Sequence, residues 1–349
     1  MNPKKIIPAI AFGLLAAVLG GCTAGANSDG RVREYWIAAE PVTWNYAPSG
    51  KNLMHEEEGL GVWGKNLAYR KYRYIQYADG GYTQPVAQPA WMGILGPQLQ
   101  AVEGDKILVH FLNRTGKPLS IHPHGVRYDE QNEGADHKGP GAHVGPGKSF
   151  DYTWTVDADA APGPNDPSSI VWLYHSHVDS VTEIYDGLIG SLVVTRKGME
   201  RSVDDPRPKD VDAAFTTLFM VFNENGRLVV DDQGNTQPAP GGDEEAEEGN
   251  LKHAINGYIF ANLPGLEVKN GQRVRWHLLG MGTEVDLHTA HWHGKTVLEG
   301  GRRTDVVELQ PANMKTVDMV ADNSGDWMYH CHVADHITAG MHTRWKVLP

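Results

Sequence analysis

The chain is 349 residues long, enough for two ordinary domains with separate cores and too long for a single small module. Its 43 acidic against 31 basic residues leave a formal charge of -12, which argues against a nucleic-acid surface and is compatible with drawing in small cations. The 40 glycines and 21 prolines, set among short runs of Val, Ile, Trp and Tyr, point to an all-β chain with many turns rather than a helical one.

In chain order the first feature is a targeting segment. Lys4 and Lys5 precede an apolar stretch from Ile6 to Leu19, followed by Leu19-Gly20-Gly21-Cys22. That pattern resembles a bacterial-type lipobox, with residues 1–22 a lipoprotein signal peptide and a lipidated Cys22 as the mature N-terminus. The stretch falls short of the roughly 20 apolar residues of a membrane span, which favours a lipid anchor over an uncleaved helix. The expected location is exported and lipid-anchored, periplasmic or on the outer face of a membrane. With Cys22 on the anchor, Cys331 is the remaining cysteine, and no intramolecular disulfide is open to the mature chain.

Beyond this segment the chain repeats itself. VEGDKILVHFLNR from Val102 answers VKNGQRVRWHLLG from Val268, and IHPHG from Ile121 answers AHWHG from Ala290. WLYHSHV from Trp172 answers WMYHCHV from Trp327, and GLIGSLVV from Gly187 loosely answers GMHTRWKVL from Gly340. Each copy opens on an aromatic and β-branched run, REYWIAAEPVTWNY from Arg33 and FTTLFMVFNENGRLVV from Phe215. Two copies of one β-sandwich account for the pattern, a first domain at 31–197 and a second at 212–349. A charged, proline-bearing stretch at 198–211 reads as their linker, and the polar tract from Asp231 to Asn250 as a solvated loop.

The segment HCHVADHITAGM concentrates the chemistry. A thiolate, two imidazoles and a weak axial thioether suit a type 1 blue copper; Cys331, His336 and Met341 lie in the segment, and His288, the first histidine of HTAHWH, supplies the second imidazole. Alternation along a strand points His330 and His332 away from Cys331, so one short strand can bridge two metal sites. The chain also carries four His-x-His pairs: His122 and His124, His175 and His177, His291 and His293, His330 and His332. Period-2 spacing puts both imidazoles of a pair on one face, and eight imidazoles match a trinuclear copper centre. One such pair would be a coincidence; four at equivalent points of a repeat are not.

With REYWIAAEPVTWNYAPSG, IHPHGVRY, NEGAD, PGPNDPSSIVWLYHSHV, GLIG, HAINGYIFANLPGL and GMGTEVDLHTAHWHG, these motifs cover nearly the whole mature chain. They resemble the multicopper oxidases, and among them the ceruloplasmin and hephaestin group. The resemblance implies two cupredoxin-like Greek-key β-sandwich domains with one type 1, one type 2 and two type 3 coppers. It implies His122 and His291 on the type 2 ion. It further implies His124, His175 and His332 on one type 3 ion, and His177, His293 and His330 on the other. The type 1 ligands would be His288, Cys331, His336 and Met341. Ser176 stands where Cys331 stands in the repeat, and a hydroxyl cannot replace a thiolate at a blue copper, so the first domain lacks a type 1 site. In two-domain relatives the cluster lies between the first domain of one subunit and the second domain of its neighbour, which implies a homotrimer.

The same resemblance implies a ferroxidase, which couples one-electron oxidation of Fe(II) to four-electron reduction of O2 to water. Positions matching the family's iron site are Glu248, His253, Glu284 and Asp335, with Glu284 reaching across a subunit interface. Hard carboxylate oxygens with one imidazole favour Fe(III) over Fe(II) and so ease oxidation. Glu133 and Asp179, near the histidine pairs, are candidate proton relays. The main alternative is a broad-specificity, laccase-like phenol or metal oxidase with the same coppers. A copper nitrite reductase would place its blue-copper cysteine in the first domain, and a simple electron-transfer protein would leave eight paired histidines unexplained.

Overall fold

A computed structural model describes residues 30–135 and 139–349; the signal segment and Cys22 lie outside the described residues. Each half is a pair of facing β-sheets. In the first, strand Lys106–Asn113 alternates burial residue by residue, sending Ile107, Val109 and Phe111 inward. It lies between the parallel Val32–Asn45 and the antiparallel Ser149–Thr155 in a six-stranded sheet. The facing four-stranded sheet runs Leu99–Val102, Ile189–Thr195, Ser169–His175, His122–Pro123. Tyr74, Phe111, Tyr152, Trp154 and Leu192 fill the space between them.

The second half repeats the plan. Arg273–Gly280 sits between Ala213–Asn223 and Asn313–Val320, and a five-stranded sheet containing Gly325–Cys331, His288–Trp292 and His342–Leu348 faces it. Trp276, Trp292, Tyr329 and Trp345 pack its core around Cys331. A third apolar cluster, with Tyr46, Ile94 and Leu173 from one half and Leu218, Met220 and Phe222 from the other, joins the two. Across this junction Lys71 and Glu224, both fully buried, form an ion pair that also engages Tyr46.

Two local expectations change. The run from Phe215 is not one strand: it turns after Asn223, and Leu228–Val230 leaves the second half to join the first half's sheet through Val229 opposite Tyr69. The tract from Asp231 to Asn250 is not simply a solvated loop, because it contains strand Thr236–Pro238 and helix Glu244–Gly249. Asp243 caps that helix by accepting Ala246 N–H at 2.8 Å, and acidic residues in the first turn suit its N-terminus. Asn250 secures the other end through Pro240 O and the Tyr69 hydroxyl. Among the described residues no helix is long and apolar enough to cross a membrane.

Candidate metal centre

Strand register decides which way each candidate ligand faces. Ala290 lies opposite Cys331 and His291 opposite His330, so the thiol enters the second-half core while His330 and His332 face away. Inside, His288 Nδ1 lies 3.1 Å from His336 Nδ1, and Cys331 Sγ lies 3.9 Å and 3.7 Å from those two nitrogens. Donors sharing one ion at bonds of about 2.0–2.3 Å stand about 3–4 Å apart, so the donor set fits a copper ion. Met341 is buried in the same cluster; its carbonyl accepts Cys331 N–H and its own N–H donates to His336 O. Burial would raise the Cys331 thiol, but hydrogen bonds with His288 and His336 pull it down to about 6, making thiolate the ready form at neutral pH.

Asp286 orients this group from behind, a role the sequence reading missed. It is fully buried, lies 3.1 Å from His288 Nε2, and accepts backbone N–H groups of Val221 and Thr283. A carboxylate on the far nitrogen fixes the tautomer that leaves Nδ1 free as a donor.

The paired histidines form two separate sets. In the first half His122 lies opposite His175, and His124 Nε2 is 3.2 Å from His175 Nε2. In the second half His293 Nε2 is 3.1 Å from His330 Nε2, with His291 and His332 in ring contact. His122, His175, His291 and His330 donate from Nδ1 to the carbonyls of Glu133, Ser176, Asp305 and Cys331, leaving Nε2 lone pairs facing inward. Burial, helped by neighbouring imidazoles, holds His124 and His330 at about 4, and burial takes His175 to about 3. These rings are therefore neutral and competent as ligands. The first set opens on a cavity of about 310 Å³ completed by Ile184, Tyr185, Met220 and Met281, with no histidine of the second set among its walls. His177, His293 and His332 are exposed.

Of the residues matched to an iron site, His253 and Glu248 come together beside His336. The His253 ring centre is 5.0 Å from that of His336, and Glu248 Oε1 lies 3.5 Å from His253 Nε2 while accepting Trp63 Nε1–H. His253 is 7% exposed, yet neither ring nitrogen has a hydrogen-bond partner, and burial lowers it to about 3. Asp335 is exposed on helix Ala334–Thr338, one residue before His336. Glu284 stands elsewhere, on an exposed loop whose charge is felt by Tyr185 of the first half.

The relay candidates occupy different places. Glu133 holds His122 through its backbone carbonyl. Asp179 is exposed, hydrogen-bonds Thr182 ahead of helix Thr182–Tyr185, and is held low chiefly by the Thr182 hydroxyl. Two acids of this region are buried, Glu183 and Asp186, neither singled out from the sequence; Asp186 pairs with Lys117 and Arg227, and burial raises the Glu183 carboxyl.

Comparison with known proteins follows the repeat. Residues 77–198 and 232–349 each match a family model described as multicopper oxidase. Over 343 residues the chain is 39% identical to hephaestin of Rattus norvegicus, covering 92% of this chain and 30% of that protein. It is 37% identical to ferroxidase HEPHL1 of Mus musculus (90% and 29% covered) and 38% identical to ceruloplasmin of Homo sapiens (90% and 31%). The chain thus spans under a third of the length of these relatives. Among solved structures, a crystal structure of a multicopper oxidase aligns with TM-score 0.62 at 22% identity, covering 90% of this chain and 89% of that one. The multicopper oxidase mgLAC aligns with TM-score 0.63 at 22% identity, covering 90% and 86%. Both share the fold.

Proposed function

This chain belongs to the multicopper oxidases, and from that membership we propose that it is a ferroxidase, taking electrons from Fe(II) beside His336 and delivering them to dioxygen at a histidine-held cluster. Copper, when bound, supplies a one-electron acceptor at His288, Cys331, His336 and Met341 and an oxygen-reducing centre at the paired histidines. Strand Gly325–Cys331 and its continuation to His332 connect the two, because Cys331 faces one site and its chain neighbours His330 and His332 face the other.

The observation that carries the iron reading is His253. It is a buried imidazole with both nitrogens unpartnered, packed on His336, with the Glu248 carboxylate 3.5 Å away. A neutral imidazole and hard carboxylates are suitable ligands for ferrous iron, and their oxygens favour the ferric product. Asp335 completes the group from the adjacent helix, and Glu284 reaches a neighbouring subunit's site. A relative named as a ferroxidase supports the same substrate.

The cluster assignment is one type 2 ion on His122 and His291, with type 3 ions on His124, His175 and His332 and on His177, His293 and His330. The resemblance to two-domain relatives supports a homotrimer in which the cluster forms between the 31–197 domain of one subunit and the 212–349 domain of the next, and ring contacts that stay within each four-histidine set are compatible with it. A lipid on Cys22 tethers the exported protein to a membrane. Replacing Glu248 and Asp335 together by alanine should raise KM for Fe(II) about 10-fold or more while oxidation of an organic dye is spared. Equal losses on both substrates, in steady-state assays, would refute the iron site and leave a laccase-like oxidase.

A further inference from the structure

The two halves match hydrogen bond for hydrogen bond around Ser176 and Cys331. In the second half Thr289 N–H donates to Cys331 Sγ (3.4 Å) and His332 N–H to Thr289 Oγ1 (3.2 Å). Cys331 N–H donates to Met341 O (3.0 Å) and Met341 N–H to His336 O (2.9 Å). In the first half Ser120 N–H donates to Ser176 Oγ (3.1 Å) and His177 N–H to Ser120 Oγ (3.0 Å). Ser176 N–H donates to Leu188 O (3.1 Å) and Leu188 N–H to Glu183 O (3.1 Å). Ser176 therefore matches Cys331, Leu188 matches Met341, and Glu183 matches His336. Leu119 precedes Ser120 as His288 precedes Thr289. All four donors have been exchanged, and Glu183 is the charged replacement.

Glu183 is 1% exposed. Its Oε2 accepts Val178 N–H at 3.1 Å, and the Ser176 hydroxyl, which accepts Ser120 N–H, favours the charged form of the carboxylate. Ser176 and Val178 flank His177 in the chain, and Ser176 O anchors the His175 ring. The charge at the matching chain position is inverted as well: Lys117 stands two residues before Leu119 as Asp286 stands two before His288, pairs with Asp186 at 2.7 Å, and acts electrostatically on Glu183.

We propose that Glu183 is a positioning residue whose carboxylate clamps Val178 N–H next to His177, aiming His177 and the neighbouring His175 before any copper arrives. The assignment of His175 and His177 as cluster ligands rests on the function proposed above; the clamp itself does not.

Amide exchange in the full-length, copper-free chain tests it. Removing a charge-assisted acceptor in Glu183→Ala should speed exchange at His177 and Val178 about 10- to 100-fold, with Cys331 and His332 unchanged. Glu183→Gln, which keeps an acceptor for Val178, should restore protection to within a few-fold of the native chain. After copper loading, Glu183→Ala should keep the intense blue absorption but lose cluster copper, counted per chain, and Glu183→Gln should recover it. Native exchange in Glu183→Ala, or acceleration spread equally over both halves, would overturn the clamp. If the unsubstituted protein takes up no cluster copper while the exchange result holds, the proposed function falls and the clamp stands.

Discussion

The two halves build the same turn on the same backbone hydrogen bonds and put opposite chemistry inside it. In the second half the turn carries a thiol drawn down to about 6 and two imidazole nitrogens 3.1 Å apart. In the first it carries two leucines and a buried carboxylate that already accepts Val178 N–H. The scaffold must therefore be set by the backbone rather than by the metal. Gly187 (φ 103°) and Gly340 (φ 100°), each just before the residue that closes the loop, make that visible. A Cβ there would fall 2.7 Å from Tyr72 O in one half and 2.7 Å from the Phe260 ring in the other, besides requiring a conformation that favours glycine.

Making the second half resemble the first is the most severe test of the comparison. Cys331→Ser should abolish the blue absorption and reduce oxygen consumption with any reductant to background, since a hydroxyl neither binds the ion as thiolate does nor carries the electron onward. Retained oxygen reduction would sever the link between the strand and the activity.

Next in size is the division of labour between the halves. His175→Ala damages the first-half set and His293→Ala the second-half set, so each variant alone should lack a working cluster. Co-expressed in equal amounts, they should recover about one quarter of native clusters if each cluster is shared between neighbouring subunits, because both contributing halves must be intact. Clusters built within a single chain would give no recovery. Smaller again is Asp286→Asn. It should weaken type 1 copper binding about 10- to 100-fold in competition with a chelator, while cluster copper is retained.

What the sequence made legible, and what it did not, divides along the same line. The histidine pairs and Cys331 declare themselves because period-2 alternation and ligand chemistry are written in contiguous residues. Asp286 and Glu183 do not, because an acid two residues before a ligand, or in a short helix after one, reads like any loop carboxylate until burial is known. Asp179, nearer the histidine pair in sequence, proved to be the exposed acid, and Glu183, four residues on, the buried one. The 231–250 tract misled for a related reason: its composition is that of a solvated loop, whereas the Asp243 cap and the bonds of Asn250 are decided by position. The hairpin that crosses into the first half's sheet depends on one distant pairing, Val229 with Tyr69, that no local pattern encodes.

Lys106–Asn113 and Arg273–Gly280 carry a histidine at the same place, His110 and His277. His110 is half-buried beside Asp151 at 2.9 Å, whereas His277 is 1% exposed with only Thr316 Oγ1 at 3.3 Å. Burial, then the charge of Arg275, lowers His277 to about 3. In the unfolded chain its pKa returns to about 6.5, so between these values the unfolded state binds one proton more than the folded state. Stability is undiminished above the unfolded value, falls as pH drops through this window, and levels off below the folded value. In the copper-free chain, His277→Gln should therefore make the pH dependence of stability shallower by about 1.4 kcal/mol per pH unit between about pH 4 and 6, read from urea unfolding at each pH. Equal slopes would mean that the folded second half admits a proton at His277, and that burial does not separate these two strands.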